Sequence, residues 1–255
     1  EESFRLGVVD EFHLPVVSET WDGWLSAIES FPLTRSDAAA ALAAASDGPV
    51  AEGCVGGGTG MICHEFKAGI GTSSRVVSMV GERYTVGVLV QANYGLRQDL
   101  RVDGAPVGRL IGEEVVPSAW DEAPNGGSIV ILIATDAPLL ADQCRRLARR
   151  ATVGLARVGG YGHDSSGDLF FAFSVGNHLP RRPNRVREVR SLPNEAMDPL
   201  FHGVAEATEE AIVNALCAAV TTTGREGRTA YEMPLDSMAE ILARHQGNLP
   251  EGGRD

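Results

Sequence analysis

The sequence predicts an α/β protein, and two features of its residue pattern support this fold class. Short apolar runs bounded by glycine and proline are typical of strands, and the chain has 30 glycines and 13 prolines, more than a helical bundle needs. Segments with helical spacing of apolar residues follow these runs in each half of the chain. Since 44% of the 255 residues are hydrophobic, one large core can form, and we expect a single domain over residues 1–255.

The first half is expected to open with an edge strand at residues 14–17, followed by a turn and a helix over residues 24–28. A second helix is predicted over residues 38–45, because Ser36 and Asp37 are good N-cap residues in front of an alanine run. Residues 61–66 resemble a strand, and residues 85–90 predict a strand buried between layers. Residues 104–125 are expected to be mostly loop.

The second half begins with the most hydrophobic stretch of the chain, residues 128–135, which predicts a central strand and is too short to cross a bilayer. Pro138 lies in the first turn of a predicted helix over residues 136–155. A strand over residues 169–175 and a basic linker over residues 179–190 follow. Helices are expected over residues 204–222 and 237–245.

Charge and composition exclude several classes of function. With 22 Lys plus Arg against 34 Asp plus Glu, the net charge of −12 repels nucleic acid and anionic membranes, so neither is an expected partner. The four cysteines lack a metal-binding spacing and are expected to be buried free thiols. No phosphate-binding or zinc motif is present, so we expect no cofactor and no metal.

The residue types change abruptly at Gly127 and Ser128, from a flexible loop to the start of the apolar strand. Glycine allows a distorted peptide, and the following hydroxyl is placed to attack that peptide in an N-to-O acyl shift. Cleavage there would give Ser128 a free amine whose pKa, about 7.7 to 8.0, suits a general base. The sequence Gly126-Gly127-Ser128 is also a common loop ending. These three residues alone therefore do not establish self-cleavage, and other parts of the chain must support it.

Several ordered motifs of this sequence are similar to those of one enzyme family. Residues 56–67 (GGGTGMICHEFK), 69–75 (GIGTSSR) and 88–95 (VLVQANYG) closely resemble the L-aminopeptidase D-amidase/D-esterase family, which includes the β-peptidyl aminopeptidases. The resemblance continues through residues 127–130, 134–140, 166–170 and 172–174. It therefore covers most of the chain, in register, from about residue 14 to residue 177.

The resemblance implies a four-layer αββα sandwich like that of N-terminal nucleophile hydrolases but with different connectivity. It implies a precursor that cuts itself between Gly127 and Ser128. Residues 1–127 would then be the C-terminal part of an α subunit, with an upstream segment missing, and residues 128–255 the β subunit. It also implies a homotetramer of cleaved protomers that acts on small peptides, amides or esters with a free amine.

The resemblance also implies roles for individual residues. Ser128 would be the nucleophile, and the amide of Asn93 would stabilise the oxyanion. Ser166 and Asp168 would orient the new amine, and alternate spacing at a strand start would place both on one face. Read by themselves, Asn93 fits a turn before Gly95, and Ser166 to Asp168 fit an Asx-type turn.

Two further residues are candidates for substrate binding. Glu19 could bind the substrate's ammonium group, although a solvated strand-end carboxylate explains it nearly as well. Trp21 occupies a position where the family has tyrosine, so this chain lacks a hydroxyl there. We expect this difference to bear on substrate preference.

Two alternative functions remain open at the level of sequence. The ornithine acetyltransferase type of enzyme also cleaves itself, but its nucleophile is usually threonine. An inactive binding or assembly protein with the same fold is the other. Because Glu1 is not methionine, we expect upstream sequence, which leaves a cytoplasmic or a periplasmic location open.

Overall fold

The computed structural model describes residues 16–120, 127–178 and 186–247. Its strands are β1 (Ile62–Cys63), β2 (Phe66–Lys67), β3 (Ile70–Met79), β4 (Glu82–Asn93), β5 (Ser128–Thr135), β6 (Leu169–Ser174), β7 (Thr222–Thr223) and β8 (Thr229–Ala230). Its α-helices are α1 (Arg35–Ala43), α2 (Val107–Leu110), α3 (Ala141–Ala148), α4 (Ala151–Arg157), α5 (Asp198–Cys217) and α6 (Leu235–Gly247). Short 3-10 helices lie at Ile28–Ser30, Gly56–Gly58, Arg97–Asp99, Asn194–Ala196 and Arg225–Gly227. Both halves of the chain combine strands with helices, which confirms the predicted α/β class.

A four-stranded sheet with the order β3-β4-β5-β6 organises the structure. β3, β4 and β5 are antiparallel neighbours, whereas β6 is parallel to β5. The parallel pair requires a crossover connection, which α3 and α4 supply. Two small antiparallel pairs, β1 with β2 and β7 with β8, lie outside this sheet.

Helices cover one face of the sheet. The 20-residue helix α5 packs against β3 and β4, and α4 packs against α5. The apolar side chains of this face are fully buried, among them Val86, Val90, Ile131 and Ile133. Gly71 lets α5 approach closely, because a side chain there would collide with the backbone carbonyl of Ala211.

The opposite face of the sheet is open in the described residues. Side chains alternate between faces along a strand, so Leu132 and its register partners Leu89 and Phe171 project to this side. Leu169 and Phe173 lie on it as well and are 40% and 42% exposed. This face is therefore apolar yet incompletely covered.

The central strands form where the sequence predicts them, since the strands predicted at residues 85–90, 128–135 and 169–175 correspond to β4, β5 and β6. The helices predicted over residues 38–45, 204–222 and 237–245 correspond to α1, α5 and α6 with shifted ends. Residues 61–66 contain β1 and enter β2 rather than forming one strand. Residues 104–120 are mostly loop, as expected, apart from α2, while residues 121–125 lie outside the described residues.

The prediction of a helix over residues 24–28 was wrong. The Asp22 carbonyl accepts hydrogen bonds from Leu25 and Ser26, which closes a turn, and only the 3-10 helix at Ile28–Ser30 follows. The edge strand predicted at residues 14–17 falls partly outside the described residues, and Val16 and Val17 are exposed and not in a strand.

The helix predicted over residues 136–155 is divided and begins late. Residues 136–140 are not helical, and the Asp136 carboxylate instead accepts a hydrogen bond from the Thr85 N–H at 2.7 Å. The break between α3 and α4 follows from a tighter turn, in which the Arg150 N–H donates a hydrogen bond to the Leu147 carbonyl.

Of the basic linker predicted over residues 179–190, residues 186–190 are irregular and residues 179–185 lie outside the described residues. No helix in the described residues is long and apolar enough to cross a bilayer.

The β1–β2 hairpin contains a fully buried histidine. His64 has a φ of 49°, and its Nδ1 lies 2.9 Å from the Leu96 carbonyl oxygen. Burial lowers the pKa of His64 to about 4. Because a histidine in the unfolded chain has a pKa of about 6.5, only the unfolded state binds the proton between these values.

Acidification is therefore expected to destabilise the fold through His64. The free energy of unfolding falls as the pH drops from 6.5 to 4 and levels off below that, with His64 contributing about 3 kcal/mol. His64→Asn removes this titration, since asparagine tolerates positive φ and its amide can donate to the Leu96 carbonyl. Urea unfolding at several pH values measures the difference, and equal pH dependence in the two proteins would contradict the assignment.

Candidate active site

The site is built around the pairing of two strand ends. Ser128, the first residue of β5, lies opposite Asn93, the last residue of β4, in the antiparallel ladder. Paired residues project to the same face of a sheet, so both half-buried side chains lie on the open face. The ladder therefore brings together the two residues predicted to be the nucleophile and the amide donor.

Gly127, directly before Ser128, has a backbone conformation that favours glycine. Its φ is +150°, and a Cβ atom there would lie 2.5 Å from the Asn93 carbonyl oxygen and 2.7 Å from the Tyr94 Cα. Non-bonded atoms do not approach so closely without displacement of the backbone. Glycine at this position therefore lets the 127–128 peptide pass directly across the end of β4.

The side-chain amide of Asn93 is held in one orientation. Its Oδ1 accepts a hydrogen bond from the Ile62 N–H at 3.0 Å, and its Nδ2 donates to the Trp21 carbonyl at 2.8 Å. An amide nitrogen carries two hydrogens, so one remains for an oxyanion. Asn93 ends a strand rather than forming a turn, and its amide is already oriented before any substrate binds.

The Ser128 hydroxyl is held by the loop that precedes β6. Its Oγ accepts a hydrogen bond from the Gly167 N–H at 3.2 Å. A donor in this position stabilises negative charge that develops on the oxygen during attack. The sequence does not reveal this donor, because a backbone N–H leaves no signature in residue type.

Ser166 and Asp168 are brought together in the same loop. Ser166 Oγ donates a hydrogen bond to Asp168 Oδ1 at 2.5 Å, and the Ile129 N–H donates to the same oxygen at 3.3 Å. The carboxylate therefore lies one residue along the backbone from Ser128. The expected explanation, alternate spacing of Ser166 and Asp168 along a strand, was wrong, because β6 begins only at Leu169. The loop lies beside Ser128 because β6 pairs in parallel with β5.

Trp21 and Glu19 have different surroundings. The Trp21 carbonyl accepts a hydrogen bond from the Asn93 amide. The residue is 55% exposed, and its ring packs over Gly23, where a Cβ would lie 2.6 Å from the ring. Glu19 is exposed and does not line the cavity in front of Ser128. Of the two predicted substrate-binding residues, the structure brings only Trp21 to the nucleophile.

A cavity of about 280 Å³ opens in front of Ser128, with Asn93 and Gly127 beside it. Its apolar wall includes three tryptophans, Trp21, Trp24 and Trp120. Two of them, Trp24 and Trp120, meet edge to face with ring centroids 5.4 Å apart. The volume lies near the lower end for ligand sites, which favours a small substrate group.

A buried ion-pair cluster fixes the segment that carries Trp120. Arg97 Nε lies 3.7 Å from the Glu65 carboxylate, and the two side chains are only 7% and 11% exposed. The Arg97 guanidinium also donates to the carbonyls of Val116 at 2.5 Å and Pro117 at 3.2 Å. Local residue patterns do not reveal this cluster, because its members are far apart in the chain.

A fully buried ammonium group holds the loop beneath the site. The Nζ of Lys67 donates to three backbone carbonyls, and burial lowers the pKa of Lys67. The acceptors are the carbonyl oxygens of Gly58 (3.1 Å), Met61 (3.0 Å) and Ala68 (2.6 Å). This arrangement positions Ile62, the next residue after Met61, whose N–H orients Asn93.

Within residues 16–120, 127–178 and 186–247, no group of three or more His, Cys, Asp or Glu could hold a metal ion. The four cysteines are free, with Cys63 and Cys144 buried and Cys54 and Cys217 half-buried. Around Ser128, the described residues provide a nucleophile, an oriented amide donor and a fixed carboxylate.

Comparison with known proteins agrees with this geometry. The model of peptidase family S58 matches residues 2–230. Beta-peptidyl aminopeptidase BapA of Sphingosinicella microcystinivorans is 45% identical over 243 residues, which cover 91% of this chain and 61% of that protein. The chain thus spans about three fifths of the length of this relative.

Two solved structures are similar throughout. A Burkholderia sp. beta-aminopeptidase superposes with a TM-score of 0.86 and is 48% identical, covering 98% of this chain and 69% of that one. The second is the L-aminopeptidase D-Ala-esterase/amidase of Ochrobactrum anthropi, described as a prototype for the serine aminopeptidases and a variant of the Ntn hydrolase fold. It superposes with a TM-score of 0.87 and is 38% identical, covering 95% of this chain and 67% of that one.

The family match extends over most of the chain, and the strands and loops that carry Ser128 have counterparts of the same fold in these relatives. The chain therefore belongs to peptidase family S58.

Proposed function

We propose that the protein containing this chain cuts itself between Gly127 and Ser128 and then acts as an aminopeptidase with Ser128 as its nucleophile. The observation that carries the proposal is that Ser128 lies opposite Asn93 in the β4–β5 ladder. The residue before Ser128 is Gly127, whose backbone lies directly against the end of β4. The names of the related proteins describe aminopeptidases and support this function rather than acyl transfer to ornithine.

Self-cleavage begins with attack of the Ser128 hydroxyl on the Gly127 carbonyl carbon. The peptide C–N bond breaks, an ester forms between Gly127 and Ser128 Oγ, and the Ser128 nitrogen becomes a free amine. Water then hydrolyses the ester, which leaves a carboxylate on Gly127 and restores the hydroxyl. The oriented Asn93 amide is available to stabilise the oxyanion of both steps.

Turnover uses the amine that cleavage creates. The Ser128 amine takes the proton of its own hydroxyl while Oγ attacks the substrate carbonyl, and it then donates this proton to the departing amine. Water hydrolyses the acyl-enzyme. The Asp168 carboxylate, fixed by Ser166 and the Ile129 N–H, holds the amine in position.

The two pieces are expected to stay together after the cut. Residues 1–127 carry β3 and β4, whereas residues 128–255 carry β5, β6 and α5. The β4–β5 ladder therefore runs across the division, and α5 packs against β3 and β4 from the other side. Cleavage removes one covalent link but none of this buried contact.

The open face of the sheet supports a four-layer arrangement. A second sheet against this face would bury the partly exposed Phe173 and Leu169, complete an αββα sandwich, and place Ser128 between two sheets. We further propose a homotetramer of cleaved protomers, with small peptides, amides and esters that carry a free amine as substrates. The small cavity suits substrates of this size.

Replacement of the nucleophile tests the whole proposal. Ser128→Ala is expected to abolish both self-cleavage and the hydrolysis of aminoacyl p-nitroanilides, since one oxygen performs both attacks. A denaturing gel, N-terminal sequencing and release of p-nitroaniline give the readouts. Ser78→Ala, on an exposed position of β3, is the control and should behave as the unaltered protein. Cleavage or turnover in Ser128→Ala would contradict the assignment.

The close approach at Gly127 gives a second test. Gly127→Ala is expected to slow self-cleavage at least about tenfold, because the added methyl group pushes the scissile peptide away from β4. Gly81→Ala is a matched control, since Gly81 has a φ of +79° but a Cβ atom there would have nothing within 4 Å. It should lose stability without losing cleavage, and similar cleavage rates in the two variants would argue against the role of Gly127.

The role of Asn93 in turnover is tested on the fraction of protein that has completed self-cleavage, because loss of the same amide is also expected to slow the cut. Asn93→Ala is expected to lower kcat about 10²- to 10³-fold with a small change in KM, as for other preorganised donors. Gln91→Ala removes an amide two residues earlier on the same face and should change kcat by less than about threefold. Steady-state kinetics with an aminoacyl p-nitroanilide separate the two variants, and an unchanged kcat in Asn93→Ala would refute the role.

A further inference from the structure

We propose that Trp120 limits the size of the side chain on the residue that the enzyme removes. This inference rests on the proposed aminopeptidase activity and narrows its substrate class. The accepted substrates are peptides, amides and esters whose first residue has no side chain or a small aliphatic one. Aromatic side chains at that residue are excluded because the indole of Trp120 occupies the space they need.

Trp120 lines the same cavity as the reacting residues. The cavity has a volume of about 280 Å³, and Ser128 and Asn93 are both part of its lining. The carbonyl carbon of a substrate must reach these two side chains, so the residue that carries this carbonyl must enter the cavity. Its side chain therefore competes with the half-buried indole of Trp120 for a volume at the lower end for ligand sites.

Packing holds the Trp120 ring in place. It meets the Trp24 ring edge to face, with centroids 5.4 Å apart, and the Arg228 guanidinium lies 4.5 Å from the centroid of the Trp24 ring. Both tryptophans also pack against a small apolar cluster of buried residues, made up of Leu25, Ile62, Ala119 and Ala230. The indole cannot turn away to admit a larger substrate without losing these contacts.

The backbone of Trp120 is tied to the buried ion pair. Ser118 Oγ accepts a hydrogen bond from the Trp120 N–H at 3.4 Å and donates one to the Glu65 carboxylate at 3.4 Å. Arg97, the ionic partner of Glu65, donates to the carbonyls of the two residues before Ser118. All of these residues precede Gly127, so the anchor does not depend on the peptide bond that self-cleavage breaks.

The other two tryptophans of the cavity are less suited to this role. Trp21 is 55% exposed, and its carbonyl accepts the hydrogen bond from the Asn93 amide, so a change there would affect every substrate. Trp24 lies between two residues of the turn that follows and supports the Trp120 ring. Trp120 is the wall residue whose size can alter selectivity without moving the oxyanion donor.

The experiment compares substrates that differ only in the side chain of the first residue. β-Homophenylalanyl p-nitroanilide carries a benzyl group, whereas β-alanyl p-nitroanilide carries none, and phenylalanyl and glycyl p-nitroanilide form the α-amino pair. The ratio of kcat/KM, benzyl to unsubstituted, is measured on full-length, self-cleaved protein. We expect a ratio below about 0.1, because a hydrophobic pocket discriminates by tenfold or more for each misfitting group.

Trp120→Ala is expected to raise this ratio at least about tenfold, and Trp120→Phe less than about threefold. Ser118→Ala, which frees the backbone of Trp120 without removing the ring, should raise it by about two- to fivefold. Val115→Ala is the control, since Val115 is 50% exposed on the same segment and does not line the cavity. It should leave the ratio within about twofold.

A ratio near one in the unaltered protein, or an unchanged ratio in Trp120→Ala, overturns the proposal. So does an equal loss of kcat/KM for both substrates, which would make Trp120 a structural residue only. Trp120→Leu replaces Trp120→Ala if the latter does not cleave itself, and failure of both to do so has the same meaning. If the unaltered protein hydrolyses neither unsubstituted anilide, the aminopeptidase function itself fails, which is a distinct result.

Discussion

The antiparallel ladder between β4 and β5 is the interaction on which the rest of the site depends. It runs from the pair Val86 and Thr135 to the pair Asn93 and Ser128. A slip of one residue would turn Ser128 toward the helical layer and move Ile131 and its neighbours to the open face. Burial of those isoleucines on the helix-covered face therefore maintains the register, and the register places the nucleophile opposite its amide donor.

The close approach of neighbouring backbone segments is the second constraint. It explains why glycine occupies positions that take no part in the reaction. A Cβ at Gly58 would lie 2.6 Å from the Ile70 nitrogen, and one at Gly127 would lie 2.5 Å from the Asn93 carbonyl oxygen. The glycine-rich residues 53–60 thus form packed backbone around the site rather than a phosphate-binding loop. Lys67 supports the same region, since its ammonium group donates to the Gly58 carbonyl in this segment and to the Met61 carbonyl directly after it.

Sequence patterns predicted those elements whose apolar pattern is unambiguous, and they were less successful where long-range contacts decide. β5, whose interior residues 129–134 are all apolar, was predicted with its observed bounds. β3 was not predicted, because its small and polar residues become a strand only by pairing along β4. The break in the helix at Arg150 was not predicted either. The guanidinium groups of Arg146 and Arg150 both lie over the Phe201 ring of α5, and local sequence patterns do not reveal such a contact.

The sequence by itself determined which residue types are available for the chemistry: a glycine-serine junction at the start of an apolar strand, an asparagine at the end of another, and a Ser-Gly-Asp loop. It did so because strand periodicity and backbone strain are local properties. Only the tertiary structure decided which carboxylate faces the nucleophile, which backbone N–H supports it and which tryptophans wall the cavity. Those choices depend on strand register and on contacts between residues distant in the chain, which no local pattern encodes.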